Sequence, residues 1–166
     1  GYTLDSKSVT QGEISKGGET KLNLINVYTA TGSFRPQGDK GLIGKDIKDY
    51  QFNFVVICNG QVIQTVKNDK DGKIAFEDIP YTTDDIGKTY VYKIVEERGL
   101  DPHITYDDAE YEITVKVQDD GNGKIIAVSN NVMANFSNEY SYDYPETGKE
   151  KLLALLILSI VVLLSA

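Results

Sequence analysis

Cysteine is nearly absent: Cys58 is the one copy in 166 residues. No internal disulfide can form, so any covalent staple in this chain must be of another kind. Cys58 ends the apolar run Phe54-Val55-Val56-Ile57-Cys58, which gives it the role of a small core residue and not of a catalytic thiol. Histidine is as scarce. His103 alone would have to serve a Ser-His-Asp triad, and it follows Pro102 in a loop. The chain holds no Gly-x-Ser-x-Gly, so a hydrolase of that kind is excluded. Positive charge is in deficit, with 17 basic against 25 acidic residues and a net charge of −8. Nucleic acid needs a basic footprint and is excluded as a partner. An acidic balance fits a solvated extracellular surface. The chain begins on Gly1 without a signal peptide; an exported protein carries one, so residue 1 is expected to be internal to a longer product.

What is present favours strands. There are 11 Tyr and no Trp, with many Thr and Val, residues that suit a pleated surface. Gln51–Cys58 runs into Asn59-Gly60, a strong hairpin signal, and Val62–Lys67 follows. Asn68-Asp69-Lys70-Asp71-Gly72 turns into Lys73–Phe76. Thr89–Glu97 puts Tyr90, Tyr92 and Ile94 on one face. Tyr111–Val117 alternates, Asp119–Gly123 turns into Lys124–Ser129, and Val132–Tyr140 closes the series. Short strands at this spacing predict an all-β fold, an antiparallel Ig-like β-sandwich. Residues 31–142 suffice for one independent core. Residues 1–30 hold two segments, Tyr2–Ser8 and Glu19–Tyr28, too few to fold alone. The string Leu24-Ile25-Asn26-Val27-Tyr28 echoes Phe136-Ser137-Asn138-Glu139-Tyr140. Residues 1–30 are therefore expected to be the last strands of a truncated preceding module.

The turns at Asn68–Gly72 and Asp119–Gly123 look like fragments of calcium loops. Neither has the Asp-x-Asp-x-Asp-Gly run and closing Glu of an EF-hand, so both read as hairpin turns. No metal and no cofactor are expected.

Five motifs occur in order: Leu42-Ile43-Gly44-Lys45-Asp46-Ile47 before Phe52-Asn53-Phe54, then Asn68–Gly72, Tyr90–Glu96, Ile104-Thr105-Tyr106-Asp107 and Phe136–Tyr140. Together they resemble the isopeptide-linkage domain of streptococcal-type pilins, related to the B-type modules of collagen adhesins. The resemblance implies a spontaneous amide between a Lys of the first strand and an Asn of the last, assisted by a buried acid. Lys40 matches the Lys. It shares parity with Phe34, Pro36 and Leu42, an apolar register where a lysine is costly without a partner. Asn138 shares a face with Phe136 and Tyr140. Glu96 shares a face with Tyr90, Tyr92 and Ile94, while Glu97 points the other way. Lys45 and Glu97 remain the alternatives. The resemblance also implies that Glu96, kept protonated by burial, hydrogen-bonds the Asn138 carbonyl. Each molecule would react once on itself, so no enzyme in the turnover sense is expected.

The C-terminus completes the pattern. Tyr144-Pro145-Glu146-Thr147-Gly148 resembles the LPxTG sorting signal of Gram-positive surface proteins, with Tyr in place of Leu. The resemblance implies cleavage by a sortase between Thr147 and Gly148. The Thr carboxyl would then pass to peptidoglycan or to another pilin subunit. Residues 143–151 form this signal and its linker. Leu152–Ala166 carries no charge and is expected to hold the chain in the membrane before cleavage. As a helix it would span roughly 22 Å, short of the roughly 30 Å hydrocarbon core. No basic residue follows it, so this segment is expected to be truncated. Two functions compete: a structural shaft or stalk anchored covalently to the cell wall, or an adhesin module binding host ligands.

Overall fold

The computed structural model describes residues 1–5, 16–17 and 24–142. The sorting signal and the apolar run, residues 143–166, lie outside the described residues. In chain order the strands are β1 (Tyr2–Leu4), β2 (Asn26–Tyr28), β3 (Thr31–Phe34), β4 (Gly38–Ile43), β5 (Asn53–Cys58), β6 (Gln61–Lys67), β7 (Ile79–Thr82), β8 (Thr89–Glu97), β9 (Ile104–Thr105), β10 (Glu110–Asp119), β11 (Ile125–Ser129) and β12 (Ala134–Tyr140). One 3-10 turn spans Thr83–Asp85. Among the described residues no helix is long and apolar enough to cross a membrane.

Five strands form an antiparallel sheet in the order β11-β10-β8-β5-β6, and three form a sheet in the order β4-β12-β9. Period-two burial builds the interior. β10 sends Ile113, Val115 and Val117 inward, all at 0% exposure. β8 sends Tyr92 and Ile94 the same way. β12 answers with Ala134, Phe136 and Asn138. Phe54 of the larger sheet meets Phe136 of the smaller, ring centroids 5.2 Å apart. Each buried Val, Ile or Phe among them contributes about 1.5–3 kcal/mol by leaving water. The β5–β6 turn is set by Asn59 and Gly60, at φ 51° and 77°. Two positive values in succession match the right-handed twist of the flanking strands.

The structure departs from the sequence reading in three places. First, β4 and β12 pair in parallel, from Gly38↔Ala134 to Ile43↔Glu139, not antiparallel. No hairpin joins them, so turn geometry does not dictate their direction. A Cβ at position 38 would collide with the Ala134 carbonyl, so the close approach needs glycine. Second, Lys73–Phe76 makes only isolated bridges, Asp39↔Lys73 and Asn68↔Ile74. Ile74 N–H bonds Gly38 O at 3.1 Å, but Phe76 N–H folds back onto Ile74 O at 2.9 Å, which ends the pairing. Third, the parity count that placed Lys40 with Phe34 and Pro36 crosses a break between two strands. Arg35, Pro36 and Gln37 separate β3 from β4, as a proline without an N–H favours. β3 pairs with β7 in a ladder of its own, missed because Gly32 and Pro80 mask the strand pattern.

At the chain's start β1 pairs with β2, Tyr2 opposite Tyr28. Tyr28 OH donates to Asp119 Oδ1 at 2.6 Å, tying this ladder to the end of β10. The rest of the predicted Tyr2–Ser8 and Glu19–Tyr28 segments lies largely outside the described residues.

Candidate functional site

Three strands from two sheets bring three polar side chains to one point in the core. Lys40 lies on β4 at 4% exposure and Asn138 on β12 at 0%. Glu96 lies near the end of β8, and the side chains of both Lys40 and Glu96 are closed to solvent. Parity alone aims them inward: Lys40 follows buried Gly38 by two residues, and Glu96 follows buried Ile94 by two.

The carboxylate is the bridge. Lys40 Nζ donates to Glu96 Oε2 at 2.7 Å, and Asn138 Nδ2 donates to Glu96 Oε1 at 2.6 Å. Asn138 Oδ1 accepts from the Asp107 main-chain N–H at 2.7 Å. That last contact fixes the amide orientation, because a main-chain N–H can only face an acceptor. The expected contact between Glu96 and the Asn138 carbonyl is thereby corrected: Glu96 meets the amide nitrogen. Lys40 Nζ also sits 4.9 Å from the centroid of the Phe52 ring, whose face favours a cation.

Burial governs the charges. Desolvation pulls the Lys40 ammonium below its ordinary range, opposed by its hydrogen bond to Glu96. Desolvation pushes the Glu96 carboxyl up, opposed by the bonds from Lys40 and Asn138. Both directions favour an uncharged pair, a proton having passed from Nζ to the carboxylate. Such a pair offers a free amine, an acid and an amide carbon in one dry compartment.

The backbone holds Lys40 from the other side. Its N–H bonds Gly72 O at 2.6 Å. Gly72 has φ +83°, and a Cβ there would strike the Lys40 carbonyl. The Asn68–Gly72 turn thus buttresses the strand that carries the lysine. Its first residue is a second buried asparagine. Asn68, at 0% exposure, accepts from Phe52 N–H and donates to Lys48 O and Asp69 O, each at 2.8 Å. Sequence reasoning missed this role; an Asn opening a turn after an apolar strand was the available signal.

The alternatives lie elsewhere. Lys45 Nζ stands over the Tyr140 ring at 4.0 Å on the exposed side of the molecule. Glu97 is exposed at the end of β8. His103 Nδ1 lies 3.1 Å from Asp101 Oδ1. In each calcium-like turn one aspartate spends a carboxylate oxygen on backbone. Asp69 Oδ1 accepts from Asp71 and Lys73 N–H, and Asp120 Oδ1 from Asn122 and Lys124 N–H. Among the described residues no cluster of three His, Cys, Asp or Glu side chains is placed to hold a metal.

An all-β domain with a Lys–Glu–Asn centre sealed between its sheets defines a class of structural modules. The family model described as FctA, Spy0128-like isopeptide containing domain, matches residues 36–141, well over half of the chain. The protein belongs to that family, and it is a structural module of the pilin type found at cell surfaces. None of the curated proteins matches it.

Proposed function

We propose that the domain joins Lys40 to Asn138 through a self-made amide and serves as a covalently clamped module of an Ig-like shaft or stalk. The observation that carries this reading is the Glu96 carboxylate, in hydrogen-bond contact with both the attacking and the leaving nitrogen in a site without water access.

The chemistry balances within the three side chains. Lys40 gives a proton to Glu96 and becomes a neutral amine. Its lone pair attacks Cγ of Asn138, and the carbonyl electron pair moves onto Oδ1. Nδ2 now has a lone pair of its own. Glu96 delivers the proton it took from Lys40 to Nδ2, and the carboxylate so formed takes the second proton from Nζ. The C–Nδ2 bond breaks, the carbonyl re-forms and ammonia leaves. Glu96 remains as the acid. Amides are poor electrophiles, and fixed contact can supply roughly 7–11 kcal/mol of the barrier. Each molecule reacts once, on itself.

The product ties β4 to β12, the first and last strands of the sandwich. A pull on the chain would then load a covalent bond and spare the strand hydrogen bonds, a staple that one cysteine cannot supply. Polymerisation with other pilin subunits suits this module. Cleavage at Thr147 by a sortase, transfer to peptidoglycan or a neighbouring subunit, and membrane retention by Leu152–Ala166 complete the proposal; the sorting-signal likeness supports them. Intact mass tests the central claim. The chain should weigh less than its sequence by one ammonia, and Asn138→Ala should show its full mass. Full mass in both would remove the cross-link.

A further inference from the structure

We propose that Asp107 completes the cross-linking centre: its main-chain N–H receives the charge that develops on Asn138 Oδ1, and its carboxylate holds that N–H in place. The inference rests on the proposed amide and adds a residue to it.

The geometry begins where β9 ends. β9 pairs with β12 at Tyr140↔Ile104 and Glu139↔Thr105, and the ladder stops there. Continued in register, residue 107 would face Ser137 through main-chain bonds. The chain instead leaves the ladder over residues 106–109. Asp107 replaces the missing rungs with its side chain. Its Oδ2 accepts from Ser137 N–H at 2.7 Å and its Oδ1 from Ala109 N–H at 2.9 Å. The main-chain N–H of Asp107 is thereby released from strand pairing and turned onto Asn138 Oδ1 at 2.7 Å.

That oxygen is where negative charge gathers when Nζ attacks Cγ. A fixed donor at this distance stabilises the tetrahedral state more than the ground state and needs no reorganisation. Glu96 sits on the nitrogen side of the same amide. The two tasks are therefore divided: Glu96 moves protons between nitrogens, and Asp107 N–H holds the oxygen. One residue anchors both ends of the arrangement, since Ser137 precedes Asn138 on β12. The carboxylate is a positioning group; the N–H touches a reacting atom.

The test uses the whole chain, purified unfolded and unreacted, then refolded by dilution. Tyrosine fluorescence follows folding, and intact mass follows ammonia loss. Asp107→Ala should fold but cross-link about 100-fold more slowly, the scale of losing one oxyanion donor. Asp107→Asn, which keeps one acceptor oxygen, should recover part of the rate. A folded Asp107→Ala that loses ammonia at the wild-type rate would overturn the inference while leaving the amide intact. A wild-type chain that never loses ammonia would instead overturn the proposed function. Should the Asp107 variants not fold, hydrogen exchange on unreacted Lys40→Met decides. Slow exchange at the Asp107 amide, made fast by adding Asn138→Ala, supports the contact; fast exchange in Lys40→Met alone overturns it.

Discussion

Two asparagines are buried to the same depth among opposite kinds of neighbour. Asn68 and Asn138 both stand at 0% exposure. Around Asn68 every partner is main chain: Phe52 N–H, Lys48 O and Asp69 O. Peptide groups neither give nor take a proton at ordinary pH, so that region is inert and its asparagine is a strut. Around Asn138 one partner is a main-chain N–H, but the other is a carboxylate that also holds a lysine. The amide is the same chemical group in both places. Under the proposed reaction, the titratable neighbours make one of them a reactant.

Substitutions can break that contrast, beginning with the largest effect. Asn138→Ala should abolish ammonia loss and remove the constraint on the loop from 40 to 138. For a loop near 100 residues the lost stabilisation is on the order of 4–5 kcal/mol, readable as a drop in the chemical-denaturation midpoint. Asn138→Asp sharpens the chemistry: the same amide should form, with loss of water in place of ammonia. Glu96→Gln keeps the shape of the bridge but cannot take the Lys40 proton. Cross-linking should slow by about 100-fold or more, followed by mass after refolding.

Asn68→Ala is the matched control. It leaves a buried N–H at Phe52 and two carbonyls without their partner, a cost of about 2–4 kcal/mol. The ammonia-deficient mass should nevertheless persist. An Asn68 variant that folds yet fails to cross-link would show that the strut is part of the reactive centre, and the contrast would fall.

The smallest effect belongs to a surface version of the strut. Asp85 Oδ2 accepts from Thr82 N–H at 2.8 Å, and Asp85 Oδ1 accepts from Tyr90 OH at 2.5 Å. The Thr82 bond, then the Tyr90 bond, holds this carboxyl below its ordinary value of 3.8, while Tyr90 is pushed up to about 12. A depressed folded value gives stability that is present above pH 3.8 and fades as pH falls through the folded value. Asp85→Ala should therefore cost about 0.5–1 kcal/mol at neutral pH. Near about pH 2 that cost should shrink markedly. Equal costs at both pH values would mean the carboxylate charge is not what caps the turn.

Much of this was legible in the residues. Alternation placed β8, β10 and β12, and it put Lys40, Glu96 and Asn138 on inward parity, because a half-buried strand must send every second side chain into the core. Asn59-Gly60 fixed its hairpin through backbone conformations that few residues adopt. β3 and β7 were hidden by Gly32 and Pro80, whose strand character comes only from the ladder they join. Lys73–Phe76 read as a strand because its pattern is apolar in alternation, but a pattern does not supply hydrogen-bonding neighbours. Asp107 stood in a familiar string of residues with no sign of its task, since the acting atom is a main-chain N–H that every residue but proline carries.

The sequence by itself determined the all-β character, the inward parity of the lysine, the acid and the asparagine, and the lack of a disulfide, all of which follow from local periodicity and composition. Tertiary structure alone decided that β4 lies parallel to β12, that Glu96 spans both nitrogens, and that the amide of Asn138 turns its oxygen to Asp107. Those outcomes depend on which strands become neighbours and on which donor reaches an oxygen first. Both are set by packing and hydrogen-bond satisfaction across the sheets, and no run of adjacent residues encodes them.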